Sequence, residues 1–188
     1  PGDGFLADVC RSWEKEVARA DALGVRTVAV RVGIVLGRGG GALEAMLPPF
    51  RLGGGGRIGS GRQWMSWIHL DDLVALFVHA LESEQLSGVV NGVAPNPVTN
   101  ASFTQELGRV LGRPTIVPVP ALALRVLLGE MSQILLASQR VSPERTLASG
   151  FAFRWTELGP AFEDLLADPA HELIFEQWVP RTVDEVFP

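Results

Sequence analysis

The first apolar pattern along the chain has the period of a helix. Apolar residues recur every four positions and therefore share one helix face. These residues are Phe5, Val9, Trp13 and Val17. The helix is expected to end near Gly24. Residues 25–36 come next, rich in valine and apolar almost without a break, and they predict a strand buried on both faces, as in parallel sheets.

Polar residues at the start of later apolar runs predict where further helices begin. Asp71 and Asp72 are placed to cap one helix, and Asn100 is placed to cap another that stops before Gly112. Residues 89–93 lie between these helices and predict a short strand.

The last third of the chain reads as mostly helical. A short strand is expected over residues 115–119, and helices follow it up to residue 167. Ser142 and Pro143 are placed to begin one of these helices, and Gly150 to end it.

Alternating helices and strands predict an α/β fold, the C-terminal part of a doubly wound, Rossmann-like parallel sheet. A mostly helical subdomain is expected over residues 118–168. The three short strands make an incomplete sheet, because a central parallel strand needs neighbours and cover on both faces. We therefore expect a domain over residues 1–168 whose sheet is completed by residues outside this chain.

Composition and charge exclude several classes of protein. The 188 residues are 47% hydrophobic and carry a net charge of −5, so a packed core is expected and nucleic acid is an improbable partner. No apolar run reaches the length of about 18 residues that a transmembrane helix needs. Cys10 is the single cysteine, so neither an internal disulfide nor a zinc cluster is expected, which fits a reducing, cytoplasmic setting.

The glycine-rich stretches do not form a phosphate-binding loop. Neither residues 39–41 nor residues 53–56 combine a preceding strand, a following helix and an acidic residue about 20 positions later, as such a loop requires. We interpret both as flexible loops.

Ordered motifs give the chain a resemblance to a known family. An arginine-containing strand that ends in glycine (31–37), a Gly-x-Gly-x-Gln segment (59–63) and an aromatic-Ile-His-x-x-Asp motif (67–72) are similar to the C-terminal half of extended short-chain dehydrogenases/reductases. The resemblance is closer to the atypical "epimerase family protein" branch, with its DUF1731-like C-terminal region. Five motifs carry it, in residues 5–14, 35–41, 67–69, 91–95 and 145–150.

This resemblance implies an NADP cofactor, with NAD as the alternative, and an N-terminal half that binds its phosphates. The strand that contains Gly33, Ile34 and Val35 would offer backbone contacts to the nicotinamide carboxamide, and Gly33 would let a flat ring approach closely. The alternative is that all three are only buried strand residues.

The substrate side of the site is implied in the same way. Arg62 would contact a phosphate or carboxylate, and Trp67 and His69 would line the substrate site, with His69 a candidate acid/base. The alternatives are a surface arginine at Arg62 and a structural hydrogen bond at His69. Arg31, on an apolar strand, is expected to pair with a carboxylate, for which Glu14 is the candidate.

Catalysis is where the chain departs from the family. The family's Tyr-x-x-x-Lys motif falls on Leu6 and Cys10, and the chain contains no tyrosine. We expect Cys10 to be buried and inert. Two functions stay open: an NADP-dependent oxidoreductase or epimerase-like enzyme for a small-molecule substrate, and a cofactor-binding regulatory or redox-sensing protein without turnover.

The tail of the chain changes character. Residues 169–188 resemble the start of a START-like (polyketide cyclase) domain, with a capping box at residues 182–185. A START-like partner would bind an apolar ligand, which would make lipid handling a third function. The expected partners are therefore a small molecule, the missing half of the same protein and, as a candidate, a second copy of the chain.

Overall fold

The computed structural model of the chain describes residues 4–120 and 137–167. Helices and strands alternate along the first range, and two helices occupy the second. The helices are α1 (Phe5–Ala22), α2 (Gly41–Arg51), α3 (Leu70–Glu82), α4 (Asn100–Leu111), α5 (Glu144–Ala148) and α6 (Leu158–Leu166). The strands are β1 (Val28–Val32), β2 (Ile34–Leu36), β3 (Trp64–Met65), β4 (Trp67–His69), β5 (Gly88–Gly92) and β6 (Val98–Thr99).

The strands form three short pairs. β1 pairs with β5 and β2 pairs with β4, both in parallel, while β3 and β6 are antiparallel. The parallel α/β fold predicted from the sequence is therefore confirmed, and helices α5 and α6 lie within the described part of residues 118–168, where a helical subdomain is predicted.

The prediction of one unbroken strand over residues 25–36 is wrong, because the chain changes partner at Gly33. The Gly33 amide donates to the Gly92 carbonyl at 3.1 Å, and the Ile34 amide donates to the Ser66 carbonyl at 2.8 Å. The first bond continues the pairing of β1, and the second starts the pairing of β2. The valine-rich stretch is thus two strands separated by Gly33.

The predictions that this strand is buried on both faces and that Cys10 is buried are also wrong. Phe5 and Trp13 on α1 are 79% and 69% exposed, and Cys10 on the same helix is exposed rather than buried. In the described ranges α1 packs mainly against β1, and β1 has β5 as its one strand partner. One strand edge and one helix face therefore lack the cover that a central parallel strand normally has.

The main core lies between the parallel pair β2–β4 and helices α2, α4 and α6. Phe103 of α4 and Phe162 of α6 meet edge to face, with ring centroids 5.0 Å apart. Both are buried among residues whose apolar side chains point inward from these elements. The largest of them are Trp67, Leu36, Leu43 and Leu107.

Two helix caps differ from the predictions by one or two residues. The N-cap of α3 is His69, whose ring nitrogen accepts the Asp71 amide, and Asp72 turns inward instead. The N-cap of α4 is Thr99, while the side chain of Asn100 accepts the Ile58 amide at 2.7 Å. A cap needs one polar acceptor at the first turn, and these sequences offer several neighbouring ones.

The remaining predictions for the C-terminal third have mixed outcomes. Residues 115–119 make only isolated bridges, at Ile116 and Val119, instead of a strand. α5 begins after Pro143 and ends before Gly150, close to the predicted bounds. Expectations for residues 121–136 and 168–188 lie outside the described residues. Within the described ranges, no helix is long and apolar enough to cross a bilayer.

Candidate functional site

An open cleft of about 1030 Å³ lies where the parallel strands β1 and β5 meet the segment before α5. Its floor is the carboxyl end of β1 with Gly33 and the start of β2, and one wall is formed by Val89 and Asn91 of β5 and by Val93, which follows β5. Ligands of open α/β sheets bind outside the carboxyl ends of the strands, so this is where the fold favours a site. The other lining residues are Arg31, Val32, Gly33, Ile34, Trp64, Ser66, Ala137, Gln139, Arg140, Val141, Ser142, Glu144 and Arg145.

The opposite wall is formed by residues 137–142, which we name the strap. The Ser66 hydroxyl donates to the Gln139 carbonyl at 2.8 Å and accepts the Val141 amide at 3.0 Å. The Asn91 side chain donates to the Ser142 carbonyl at 2.9 Å. Side chains of the strand region therefore fix the strap across the cleft.

The first of three cleft arginines is neutralised by a carboxylate. Arg31 donates from Nε and Nη2 to the two carboxylate oxygens of Glu14, at 2.6 and 2.8 Å. The hydrogen bond from Arg31 lowers the pKa of Glu14 below its ordinary value. This confirms the salt bridge predicted from the sequence, although both side chains are partly exposed rather than buried.

The other two cleft arginines are used differently. Arg145 donates to the carbonyl oxygens of Val89 and Ser87 at 2.7 and 3.0 Å, so its guanidinium ties α5 to β5. Arg140 lies over the ring of Trp64, with 4.7 Å between the guanidinium carbon and the ring centroid. Among the described residues, Arg140 has no carboxylate within salt-bridge distance.

The predicted cofactor residues are only partly in this cleft. Gly33 and Ile34 line it, and Val35 does not. A Cβ atom at Gly33 would lie 2.4 Å from the Ser66 carbonyl oxygen and 2.7 Å from Val93. The glycine is therefore required by the packing of the strands themselves, whatever else approaches it.

The structure does not bring the three predicted substrate residues to the cleft. Arg62 is exposed and lies outside the cleft lining. Trp67 is fully buried, and its indole N–H donates to the Asn96 carbonyl at 3.1 Å. His69 is 2% exposed and packs in the interior.

The side chain of His69 is surrounded by other groups of the protein. Its Nδ1 accepts the Asp71 amide at 3.1 Å, and its ring stacks on Trp155 with centroids 4.9 Å apart. Its Nε2 is 3.3 Å from a carboxylate oxygen of Asp164, within ion-pair distance but too poorly aligned for a hydrogen bond. This geometry favours the structural alternative for His69 over direct contact with a substrate.

Asp72, in the first turn of α3, is a buried acidic residue. Its two carboxylate oxygens accept the backbone amides of Arg154 and Trp155, each at 2.9 Å. The start of α3 is thereby tied to the loop that leads into α6. In the described ranges, no group of three or more His, Cys, Asp or Glu residues could hold a metal ion.

Comparison with known proteins identifies relatives that match most of the chain. The chain is 49% identical over 164 residues to the mouse protein "Epimerase family protein SDR39U1", a match that covers 87% of this chain and 56% of that protein. Over this match the chain is similar in sequence to the epimerase family proteins. The family described as "Domain of unknown function (DUF1731)" matches residues 119–165. The chain spans about half the length of the curated relatives it matches.

Solved structures give the same result. The crystal structure of human epimerase family protein SDR39U1 (isoform 2) with NADPH is 48% identical, with a TM-score of 0.73, and the match covers 75% of this chain and 48% of that one. A nucleoside-diphosphate sugar epimerase from Corynebacterium glutamicum is 36% identical with a TM-score of 0.67, over 90% of this chain and 33% of that one. These relatives do not support the START-like interpretation of residues 169–188, which stays a prediction.

Sequence reasoning missed two residues that shape the cleft. Ser66 is 7% exposed, and its hydroxyl holds the strap. Arg140 lies in a polar stretch after the undescribed segment, and its contact with Trp64 joins residues far apart in sequence. The one available signal was Ser66 itself, because a hydroxyl in an otherwise apolar strand region needs a hydrogen-bond partner when it is buried.

Proposed function

We propose that this chain is the substrate-side part of an NADP-dependent, epimerase-like oxidoreductase that acts on a small molecule, with NAD as the alternative cofactor. The observation that carries the proposal is the cleft at the carboxyl end of β1. It is supported by the similarity to a human relative whose crystal structure contains NADPH.

The cleft residues fit one end of a nicotinamide dinucleotide. Val32, Ile34 and Val93 give an apolar surface against which a flat ring can lie, next to polar groups of the strap. Gly33 and Ile34 already donate their amides within the sheet, so a carboxamide would be held by other atoms of this turn. The sequence has no glycine-rich phosphate loop, so we infer that the pyrophosphate is held by a part of the protein outside this chain.

The bound dinucleotide would supply hydride transfer, and the chain's own residues would position and shield the reacting groups. The apolar floor excludes water from the nicotinamide face, which strengthens nearby electrostatic interactions. Asn91, fixed by its bond to the Ser142 carbonyl, holds the wall against which a substrate would rest.

A second candidate is a protein that binds the cofactor without turnover. The family's Tyr-x-x-x-Lys positions are Leu6 and Cys10, and the chain has no tyrosine. Of the described cleft residues, Glu144 is the one carboxylate, and none is a histidine, cysteine or lysine. Few groups in this cleft could therefore transfer a proton.

The first test is a calorimetric titration of NADPH and NADH into the natural polypeptide that contains this chain. Val32→Trp would fill the cleft floor, and Val74→Trp on the exposed face of α3 is the matched control, since both valines are about half exposed. We expect NADPH binding that Val32→Trp weakens at least tenfold and that Val74→Trp leaves unchanged.

Other outcomes would separate the two candidates or reject both. Consumption of NADPH with a carbonyl substrate supports the oxidoreductase, and binding without turnover across a carbonyl panel supports the second candidate. No binding of either dinucleotide, or equal binding by both tryptophan variants, contradicts the assignment of this cleft.

A further inference from the structure

We propose that Arg140 and Trp64 form an anion-binding subsite that receives the phosphate or carboxylate group of a molecule in the cleft. The proposal rests on the proposed function, because it assigns ligand chemistry to the same cleft. It replaces Arg62, which the family resemblance suggested for this role and which lies outside the cleft.

The charge of the cleft favours an anion. Three arginines and one glutamate, Glu144, line it, whereas the chain as a whole has a net charge of −5. Arg31 is paired with Glu14, and Arg145 is bonded to two backbone carbonyls. Arg140 is therefore the cleft arginine, among the described residues, whose donors remain for a ligand.

The contact with Trp64 prepares Arg140 for such a ligand. The guanidinium carbon lies over the indole ring, 4.7 Å from its centroid, and a cation held on an aromatic face keeps N–H groups for other partners. A guanidinium can bond two oxygens of a carboxylate or phosphate at once. The contact also lowers the entropy that a long side chain would otherwise lose on binding.

The strap fixes the backbone on both sides of Arg140. The Ser66 hydroxyl bonds the carbonyl of Gln139 and the amide of Val141, which are the neighbours of Arg140 in sequence. Ser66 is buried in the strand region, so a rigid element sets the backbone position of Arg140. The backbone of Arg140 is thus fixed while its side chain stays exposed to a ligand.

The test is thermal unfolding of the natural polypeptide with increasing inorganic phosphate, at an ionic strength held constant with sodium chloride. A ligand that binds the native state raises the midpoint by mass action. We expect a saturable rise for the wild type and for the control Arg62→Gln. For Arg140→Gln the apparent phosphate Kd should be about tenfold weaker or more, because charge-assisted hydrogen bonds are lost.

Two further variants separate charge from geometry. Arg140→Lys keeps the charge but loses the planar fork, so its phosphate affinity should lie between those of the wild type and Arg140→Gln. Ser66→Ala keeps the Arg140 side chain but removes two of the hydrogen bonds that hold the strap, so it should also weaken phosphate binding. Equal phosphate responses in the wild type and Arg140→Gln, or none in the wild type, would overturn the proposal.

NADPH titrations of the same variants identify the source of the anion. If Arg140→Gln weakens NADPH binding as much as phosphate binding, the subsite holds a cofactor phosphate, and if NADPH binding is unchanged, it holds the anionic group of a substrate. A wild type that responds to phosphate but binds no dinucleotide contradicts the proposed function alone. A wild type that binds NADPH without a phosphate response contradicts the subsite alone.

Discussion

Replacement of Asp72 by asparagine should destabilise the protein far more than the same change at Asp71. The two aspartates are neighbours in the first turn of α3, and each change removes one negative charge. Asp72 is 2% exposed and accepts the amides of Arg154 and Trp155, whereas the side chain of Asp71 is 62% exposed. The pair therefore separates hydrogen bonding from the general effect of charge at a helix N-terminus.

The structure sets the size of the expected difference. An asparagine at residue 72 can accept one of the two amides with its oxygen, but its NH₂ group then faces the other amide, which becomes a buried donor without an acceptor. One charge-assisted bond is lost and the second becomes neutral, which together cost about 2–4 kcal/mol. Removal of the charge from the start of α3 costs about 0.3–1 kcal/mol in either variant.

Urea unfolding of the natural polypeptide, followed by circular dichroism, measures both variants. With an m-value of roughly 2 kcal/mol/M, the midpoint of Asp72→Asn should fall by about 1.2–2.5 M and that of Asp71→Asn by about 0.5 M or less. Equal shifts for the two variants would refute the reasoning, because they would show that Asp72 acts through the helix dipole and not through its two backbone bonds.

Three further predictions concern other parts of the molecule. Gly33→Ala should lower the melting temperature, with a loss of about 1–3 kcal/mol, because its Cβ would collide with a strand carbonyl, whereas Gly40→Ala, with open space around it, should have little effect. Glu14→Gln should lower the free energy of unfolding by less than about 1 kcal/mol at pH 7. The pKa of Glu14 is lowered by folding, so this difference should disappear in urea titrations as the pH falls through that lowered pKa. Thr146→Val should cost about 1–2 kcal/mol in the same assay, since the buried hydroxyl donates to a β5 carbonyl at 2.7 Å, and Thr146→Ser is its control.

The fold could be predicted from the sequence as far as periodic apolar patterns determine it. The helical period gave α1, α3, α4 and α6, and the valine-rich stretch gave a parallel strand. The break at Gly33 was not predictable, because a strand that changes partner has the same apolar character on both sides of the break. The exposure of Cys10 and Trp13 was not predictable either, because burial depends on which neighbours cover a helix face.

The site was less predictable than the fold. The family resemblance assigns Gly33, Ile34 and Val35 to the cofactor side, and of these Gly33 and Ile34 line the cleft while Val35 does not. Arg62 and Arg140 have no local feature that separates them, since both are arginines in polar segments. What distinguishes Arg140 is its contact with Trp64, which exists only once the chain is folded.

The two walls of the cleft tolerate sequence change very differently. On the strand side, even one methyl group at Gly33 would displace the backbone of Ser66. On the other side, most strap residues are exposed, and the strap is held largely by one serine hydroxyl and one asparagine side chain. Mutations can therefore accumulate in the strap while the strands beneath it stay constant, so this scaffold can evolve new ligand preferences without being refolded.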